Sequence, residues 1–456
     1  MEEAKTQAAV LMVPLPCQSH LNQLLQLSGV IASRGIPVHF VGTTTHNRQV
    51  RRRSHSLKLN AIHFHDLPTP PIDAPAPDPH AADKVPMHLA PATMAYAGLR
   101  EQIGLLAQNL SQKTTRLVVV YDRMGTEAVR DAVAVPNAES YSFNCLSAFS
   151  LFLILWEVMG KPFQLRDAML EKLPSVRDFM PEGALYFSAS ENILERKGDV
   201  HNTIRLIDDD YIGLVGREEI SGGKKQWAIR SRAFSVDRVN SDDCLKWLDQ
   251  QAPKSVIYVS FGTTTSLRDE EYAEIAMGLE KSGQKFLWVV READRADIFA
   301  GGAEGRRIKL PEGFEERVQE RGIVVREWAP QMEILGHPST GAFMSHCGWN
   351  SCLESLTEGL PMAAWPMHSD QPINAIFVTE VLGVGVEVRE WERRLEVVEA
   401  VAVKDAVMRL MASKEGERIR RRAAEVGAAV RKSMEEGGQS CMEIESFIAH
   451  ITRLDH

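Results

Sequence analysis

At 456 residues the chain is longer than one ordinary hydrophobic core fills, so two domains, or three, are expected. Apolar residues make up 44% and charged residues 25%, a globular composition that excludes collagenous, disordered and disulfide-scaffold classes. The formal net charge of -9 argues against nucleic acid as the main partner, because a polyanion needs a basic footprint. Basic clusters at 48–53 and 418–422 read as solvated helix faces. Residues 1–6 are polar and acidic and lack the features of a signal peptide. Cys17, Cys145, Cys244, Cys347, Cys352 and Cys441 are scattered without close pairing, which fits free thiols in a reducing compartment. The expectation is a cytoplasmic monomer with neither membrane nor nucleic-acid partners.

In chain order, the apolar run 8–14 reads as a strand. Leu21, Leu24, Leu25, Ser28 and Ile31 then recur at helical spacing before a second strand at 37–41, which completes one βαβ unit. The proline-rich stretch 68–79 must be loop. A buried strand at 117–121 runs into Asp122. The longest apolar run, 145–156, is far short of the ~20 residues that span a bilayer and reads as a buried helix. Residues 221–243 turn polar and lose periodicity, so the interdomain linker is placed there. The βα rhythm restarts with strands at 255–261, 285–290, 322–326 and 340–345 and a helix at 268–282; amphipathic helices fill 412–454. Two parallel-sheet α/β domains in tandem offer a cleft between the carboxyl ends of their strands.

The stretch from Trp328-Ala-Pro-Gln331 through His346-Cys-Gly-Trp349-Asn350-Ser351 and Glu354 to Asp370-Gln371 carries the most chemistry. A strand gives way to a helix near Gly348, and a helix start presents open N–H groups suited to a diphosphate. His346, Asn350 and Ser351 add side-chain donors. Glu354, four residues beyond Asn350, can accept from both hydroxyls of a ribose. Trp328 can stack a pyrimidine. In the first half, His20 follows the first strand and Asp122 ends another, so the two can meet at one sheet edge. A histidine has a pKa near ~6.5, suited to removing a hydroxyl proton, and an aspartate on the other ring nitrogen orients it.

This pattern resembles the signature box of the plant family 1 UDP-glycosyltransferases, without a gap from Trp328 to Gln371. The likeness extends to Ser260-Phe-Gly-Thr263 and to Gln18-Ser-His20-Leu-Asn-Gln23. Within the family it is most similar to the zeatin O-glucosyltransferases, through Leu21-Asn-Gln-Leu-Leu25, Pro37-Val-His-Phe-Val-Gly42, Val135-Pro-Asn-Ala-Glu139 and Ala364-Trp-Pro-Met-His-Ser-Asp-Gln-Pro372. The resemblance implies the GT-B fold, two Rossmann-like domains facing across a cleft. Residues 1–237 would form the acceptor-binding domain and 238–435 the UDP-sugar-binding domain, with 436–456 a helix packing back on the first.

The resemblance further implies that Trp328 stacks the uracil with Ala329 and Gln331 beside it, and that Glu354 holds the ribose. Thr263, His346, Asn350 and Ser351 would hold the diphosphate, and Trp349, Asp370 and Gln371 the sugar, Gln371 favouring glucose, with xylose as the alternative. His20 would be the base and Asp122 its orienting partner in an inverting transfer from UDP-glucose, a co-substrate. No cofactor and no metal is required, since the helix start and the donors can neutralise the leaving diphosphate. Ser19, Met87, Phe143 and Phe149 are candidate acceptor contacts. The expected acceptor is a cytokinin such as cis- or trans-zeatin, with a flavonoid or another phenol as the alternative.

Other readings compete. Asp208-Asp209-Asp210 contains the Asp-x-Asp pattern of metal-dependent transferases, but an acidic triplet away from the box reads as a solvated loop. His63-Phe-His65-Asp66 is a fragment of a metal site that lacks downstream ligands, and Cys347 reads as a small packing residue rather than a nucleophile. Ser19 replaces the glycine usual before the histidine, where a Cβ would strain a positive φ. Arg230-Ser231 replaces a Gly-Pro pair at the start of the linker and bears on hinge stiffness or interdomain contacts. Ser19 motivates a second class, a catalytically silent UDP-sugar or hormone binding protein. A two-domain UDP-sugar epimerase would turn over donor without acceptor.

Overall fold

The computed structural model describes residues 5–53, 59–81, 84–165, 173, 175–178, 180, 194–230, 243–299, 306 and 308–454. Much of the expected linker, the expected boundary at 237/238 and Ser231 lie outside the described residues.

Short runs of β-branched and aliphatic residues build two all-parallel sheets. The first contains β1 (Thr6–Val13), β2 (Val38–Thr43), β3 (Ile62–Leu67), β4 (Thr114–Asp122), β5 (Ala138–Asn144), β6 (Gly198–His201) and β7 (Lys225–Ala228) in the order 3-2-1-4-5-6-7. The second contains β8 (Val256–Ser260), β9 (Lys285–Val289), β10 (Gly322–Val325), β11 (Thr340–Ser345), β12 (Met362–Ala364) and β13 (Gly385–Glu387) in the order 10-9-8-11-12-13. Each order reverses direction once, between β1 and β4 and between β8 and β11. Such switch points open a crevice at the carboxyl ends of the strands, where ligands of doubly wound sheets bind.

Alternation along the strands puts apolar side chains on both faces, as a sheet covered on both sides requires. In β1, Val10 and Met12 enter one core while Leu11 and Val13 enter the opposite one. Tyr258 of β8 and its neighbours Ile257 and Val259 divide in the same way. The helix Gln439–Ile451 contributes Phe447 and Ile451 to the core of the first sheet, where Phe447 meets Tyr141 edge to face at 5.4 Å. The apolar run expected as a buried helix is the helix Ala148–Val158, and it joins the two halves. Phe149 stacks on Phe377 at 5.2 Å, within one continuous core that also holds Val256 and Leu287.

Asp208-Asp209-Asp210 lies in the helix Arg205–Val215, not in a solvated loop. The buried Asp208 carboxylate accepts from Ala148 N (2.6 Å), Phe149 N (3.1 Å) and Thr203 Oγ1 (2.9 Å), and so holds the start of the helix Ala148–Val158. Asp209 pairs with Arg205 at 2.7 Å. Both are committed to local structure. All six cysteines are free, and among the described residues no helix is long and apolar enough to cross a membrane.

Candidate active site

Both switch points open into one cavity of about 2100 Å³ between the two halves. On the first-half side, β1 ends at Val13 and the helix Gln18–Ala32 begins, which sets His20 in its first turn. Asp122 is the last residue of β4 and is fully buried. Their meeting follows from topology, because β1 and β4 are hydrogen-bonded neighbours. His20 Nδ1 and Asp122 Oδ2 lie 2.7 Å apart. Asp122 is held in turn: Oδ1 accepts from Met124 N (2.9 Å) and Oδ2 from the Cys145 thiol (3.2 Å).

Burial opposes protonation of His20, but the charge of Asp122, its hydrogen bond and the more distant Asp370 outweigh it and hold the imidazole above its ordinary pKa. The contact at Nδ1 leaves Nε2 as the atom able to take a proton. His20, Asp122 and Cys145 also bring potential metal-ligand atoms within 4.8 Å. Burial, then the charge of Asp122, drives the Cys145 thiol well above its usual pKa, so it donates a proton instead of offering a thiolate.

Across the cavity, the turn after β11 carries His346, and the helix Trp349–Glu358 starts at Gly348, an N-cap residue without a side-chain cap. Its first N–H groups are therefore free of a capping side chain at the cavity wall. His346 fits between two glycines: a Cβ on Gly262 or on Gly348 would come within 2.6 Å of its Nε2, and Gly262 has φ +76°. Burial pushes His346 down to about 4, so it is a neutral donor at pH 7.

Gln331 Nε2 donates to Glu354 Oε2 (2.7 Å) and to Ser351 Oγ (3.1 Å), which fixes the carboxylate on the cavity wall. Burial raises the Glu354 pKa, against the Gln331 hydrogen bond and the charge of Arg230. Trp328 is 45% exposed on the cavity wall and is not a core side chain, with the Arg291 guanidinium over its ring at 5.6 Å. Asp370 Oδ2 accepts from Asn374 Nδ2 (2.7 Å) and carries a raised pKa from burial. Gln371 Oε1 accepts from Met367 N (2.9 Å) and His368 N (3.1 Å), which orients its amide.

The cavity brings together His20, Asp122, Thr263, Trp328, Ala329, Gln331, His346, Trp349, Asn350, Ser351, Glu354, Asp370 and Gln371, with Ser19 and Met87. Two of these are committed elsewhere in part. Trp349 Nε1 donates to Asn202 O (2.7 Å), and Asn350 Nδ2 donates to Ser19 O (3.1 Å), so both tie the second half to the first. Two expected acceptor residues do not reach the cavity. Phe143 lies in the core of the first sheet, and Phe149 is sealed between Tyr211 and Phe377. Strand and helix periodicity turn both inward. The neighbours Leu146 and Leu151 line the cavity instead, with Met124 and Tyr96.

Ser19 lies in the helix and is not among the residues of positive φ, so its Cβ brings no backbone strain. Arg230 is more than a hinge residue. It lines the cavity at 3% exposure, and no hydrogen bond of its guanidinium is found among the described residues. Cys347 is fully buried, with its thiol on Ser345 O (3.6 Å), a packing position.

Two family descriptions match the chain, "Glycosyltransferase, N-terminal domain" over residues 6–231 and "UDP-glucoronosyl and UDP-glucosyl transferase" over residues 239–414. A zeatin O-xylosyltransferase of Phaseolus vulgaris is 49% identical, with 98% of this chain and 99% of the relative covered. A zeatin O-glucosyltransferase of Phaseolus lunatus is 48% identical over 98% of each. The solved structure of Phytolacca americana UGT2 complexed with UDP-2fluoro-glucose and pterostilbene is 26% identical, with TM-score 0.77 over 98% of this chain and 100% of that one.

Proposed function

The chain belongs to the family of UDP-glucoronosyl and UDP-glucosyl transferases, as a plant family 1 UDP-glycosyltransferase of GT-B fold, and on that premise we propose that it is an inverting UDP-glucose-dependent O-glucosyltransferase acting on a hydroxylated cytokinin such as cis- or trans-zeatin. The observation that carries the reading is the 2.7 Å contact of His20 with Asp122 on the wall of a cavity shared with Trp328, Glu354, Asp370 and Gln371.

In this reading the donor lies along the second half. Trp328 stacks the uracil beside Ala329 and Gln331, and Glu354 accepts from the ribose hydroxyls. Arg230 offers its buried guanidinium to the same end of the cavity. Thr263, neutral His346, Asn350, Ser351 and the N–H groups after Gly348 receive the diphosphate, and Trp349, Asp370 and Gln371 face the sugar. Because the indole N–H of Trp349 is committed to Asn202, its contribution to the sugar comes from the ring.

The acceptor enters against Met87, Tyr96, Met124 and Leu146, an apolar wall beside Ser19. Its hydroxyl gives a proton to His20 Nε2 as the oxygen bonds to the anomeric carbon. The bond from that carbon to the β-phosphate oxygen breaks on the opposite face, which inverts the centre and releases UDP. Asp122 stabilises the imidazolium that forms. The departing charge meets the helix start and the donors around it, which hold their positions before reaction.

Zeatin is favoured because relatives at 49% and 48% identity are zeatin glycosyltransferases, and glucose because of Gln371. Purified protein with zeatin and equimolar UDP-glucose and UDP-xylose should yield zeatin heavier by one hexose. A pentose product would reverse the donor assignment. Transfer to phenols but not to zeatin would move the acceptor to the phenolic alternative.

A further inference from the structure

Outside the cleft, the first sheet gathers three imidazoles on one face of its edge. His63 and His65 are two positions apart on β3, so both point to the same side. The sequence places no third ligand downstream of them, but the fold supplies one upstream. The parallel register sets His39 of β2 beside His63, on the face that carries Val41 into the core. His39 Nδ1 and His65 Nε2 lie 2.9 Å apart, and the His63 ring stacks on His39 with centroids at 5.0 Å. Nothing in the transfer reaction uses them.

We propose that His39, His63 and His65 form a binding site for one divalent transition-metal ion of the zinc class, with a fourth position open to solvent. Two nitrogens sharing a tetrahedral zinc ion stand about 3.3 Å apart, given Zn–N bonds of about 2.0–2.1 Å, so the His39–His65 pair needs to widen by only a few tenths of an ångström. The exposed His63 ring swings in at the expense of its stack on His39 alone among the ring contacts of the described residues. Imidazole sets favour zinc, copper, nickel and cobalt over calcium and magnesium. Of the charged groups nearby, Lys113 opposes the ion from an exposed position, and the Asp66 carboxylate is occupied by Asn47 and Arg51. The ion would clip β3, the outermost strand, to β2.

The test is calorimetric titration of zinc chloride into the chelator-stripped full chain, with cobalt absorption as a coordination signature. One equivalent should bind with micromolar or tighter affinity. His63→Gln and His65→Gln should each weaken it at least tenfold, while UDP binding, which these positions do not touch, reports that the variants are folded. His20→Ala should leave zinc uptake unchanged, which separates this site from the His20, Asp122 and Cys145 cluster. The proposal is overturned by the absence of saturable uptake, by binding at millimolar concentration only, by uptake that survives the double variant His63→Gln/His65→Gln, or by uptake lost only in His20→Ala.

Discussion

Asn374 and Asp370, one helical turn apart, share a hydrogen bond of 2.7 Å that joins the cleft carboxylate to the interface between the two halves. Asn374 Nδ2 also donates to Cys347 O (3.0 Å), and its Oδ1 accepts from Ser147 Oγ (3.0 Å) and Ser150 Oγ (2.9 Å) of the first half. One buried amide thereby has all its hydrogen-bonding capacity filled. It fixes how Asp370 faces His20.

Asn374→Leu removes those partners: the Asp370 carboxylate loses its side-chain donor, Cys347 O its amide donor, and the Ser147 and Ser150 hydroxyls are left to their 2.8 Å contact with each other. A loss of roughly 2–4 kcal/mol in unfolding free energy is expected, since each unsatisfied group costs about 1–3 kcal/mol. Because Asp370 is proposed to face the sugar and not the nucleotide, kcat should fall tenfold or more while the Kd for UDP changes by less than threefold. Steady-state kinetics beside UDP calorimetry separates the two effects.

The pH profile follows from His20. Its pKa is raised, and in the proposed reaction the neutral form is the base, so kcat/KM should climb with pH and level off above an apparent pKa higher than about 6.5, the ordinary histidine value. Activity is thus lost on the acid side. Asp122→Asn deletes the charge that raises this pKa, so the acid limb should move to lower pH while the plateau falls by a factor of roughly 10²–10⁴. Rate measurements in buffers across the neutral range check both shifts.

Gly262 has φ +76°, and a Cβ there would come within 2.6 Å of His346 Nε2. Gly262→Ala should cost about 1 kcal/mol or more from backbone strain alone, and should also displace the imidazole from the proposed diphosphate position. The expected result is a Kd for UDP at least tenfold weaker, read by calorimetry, with folding intact by circular dichroism.

Arg230 lines the cavity without a hydrogen-bond partner among the described residues, and its charge supports the Glu354 carboxylate. Arg230→Met should raise the KM for the UDP-sugar several-fold and leave kcat within twofold. An effect on kcat alone would return Arg230 to a hinge role.

Local pattern made much of this legible. Strand and helix runs placed both sheets, and the box from Trp328 to Gln371 delivered its residues to one cavity, because neighbours on one strand-to-helix turn cannot part far in space. What stayed hidden depends on contacts distant in sequence. Phe143 and Phe149 read equally well as pocket or core, and only packing against Phe377, from the other half, decides for Phe149. Asn202 and Ser19 as partners of Trp349 and Asn350, Asp208 as a buried helix cap, and His39 as neighbour of His63 arise from tertiary register, which no local spacing encodes.

The most direct measurement compares His20→Ala with the natural chain in two assays, turnover of UDP-glucose with zeatin and UDP binding by calorimetry. If His20 removes the acceptor proton, turnover drops at least a hundredfold while the Kd for UDP stays within twofold. Turnover within a few fold of the natural chain, with UDP still bound, would contradict the account.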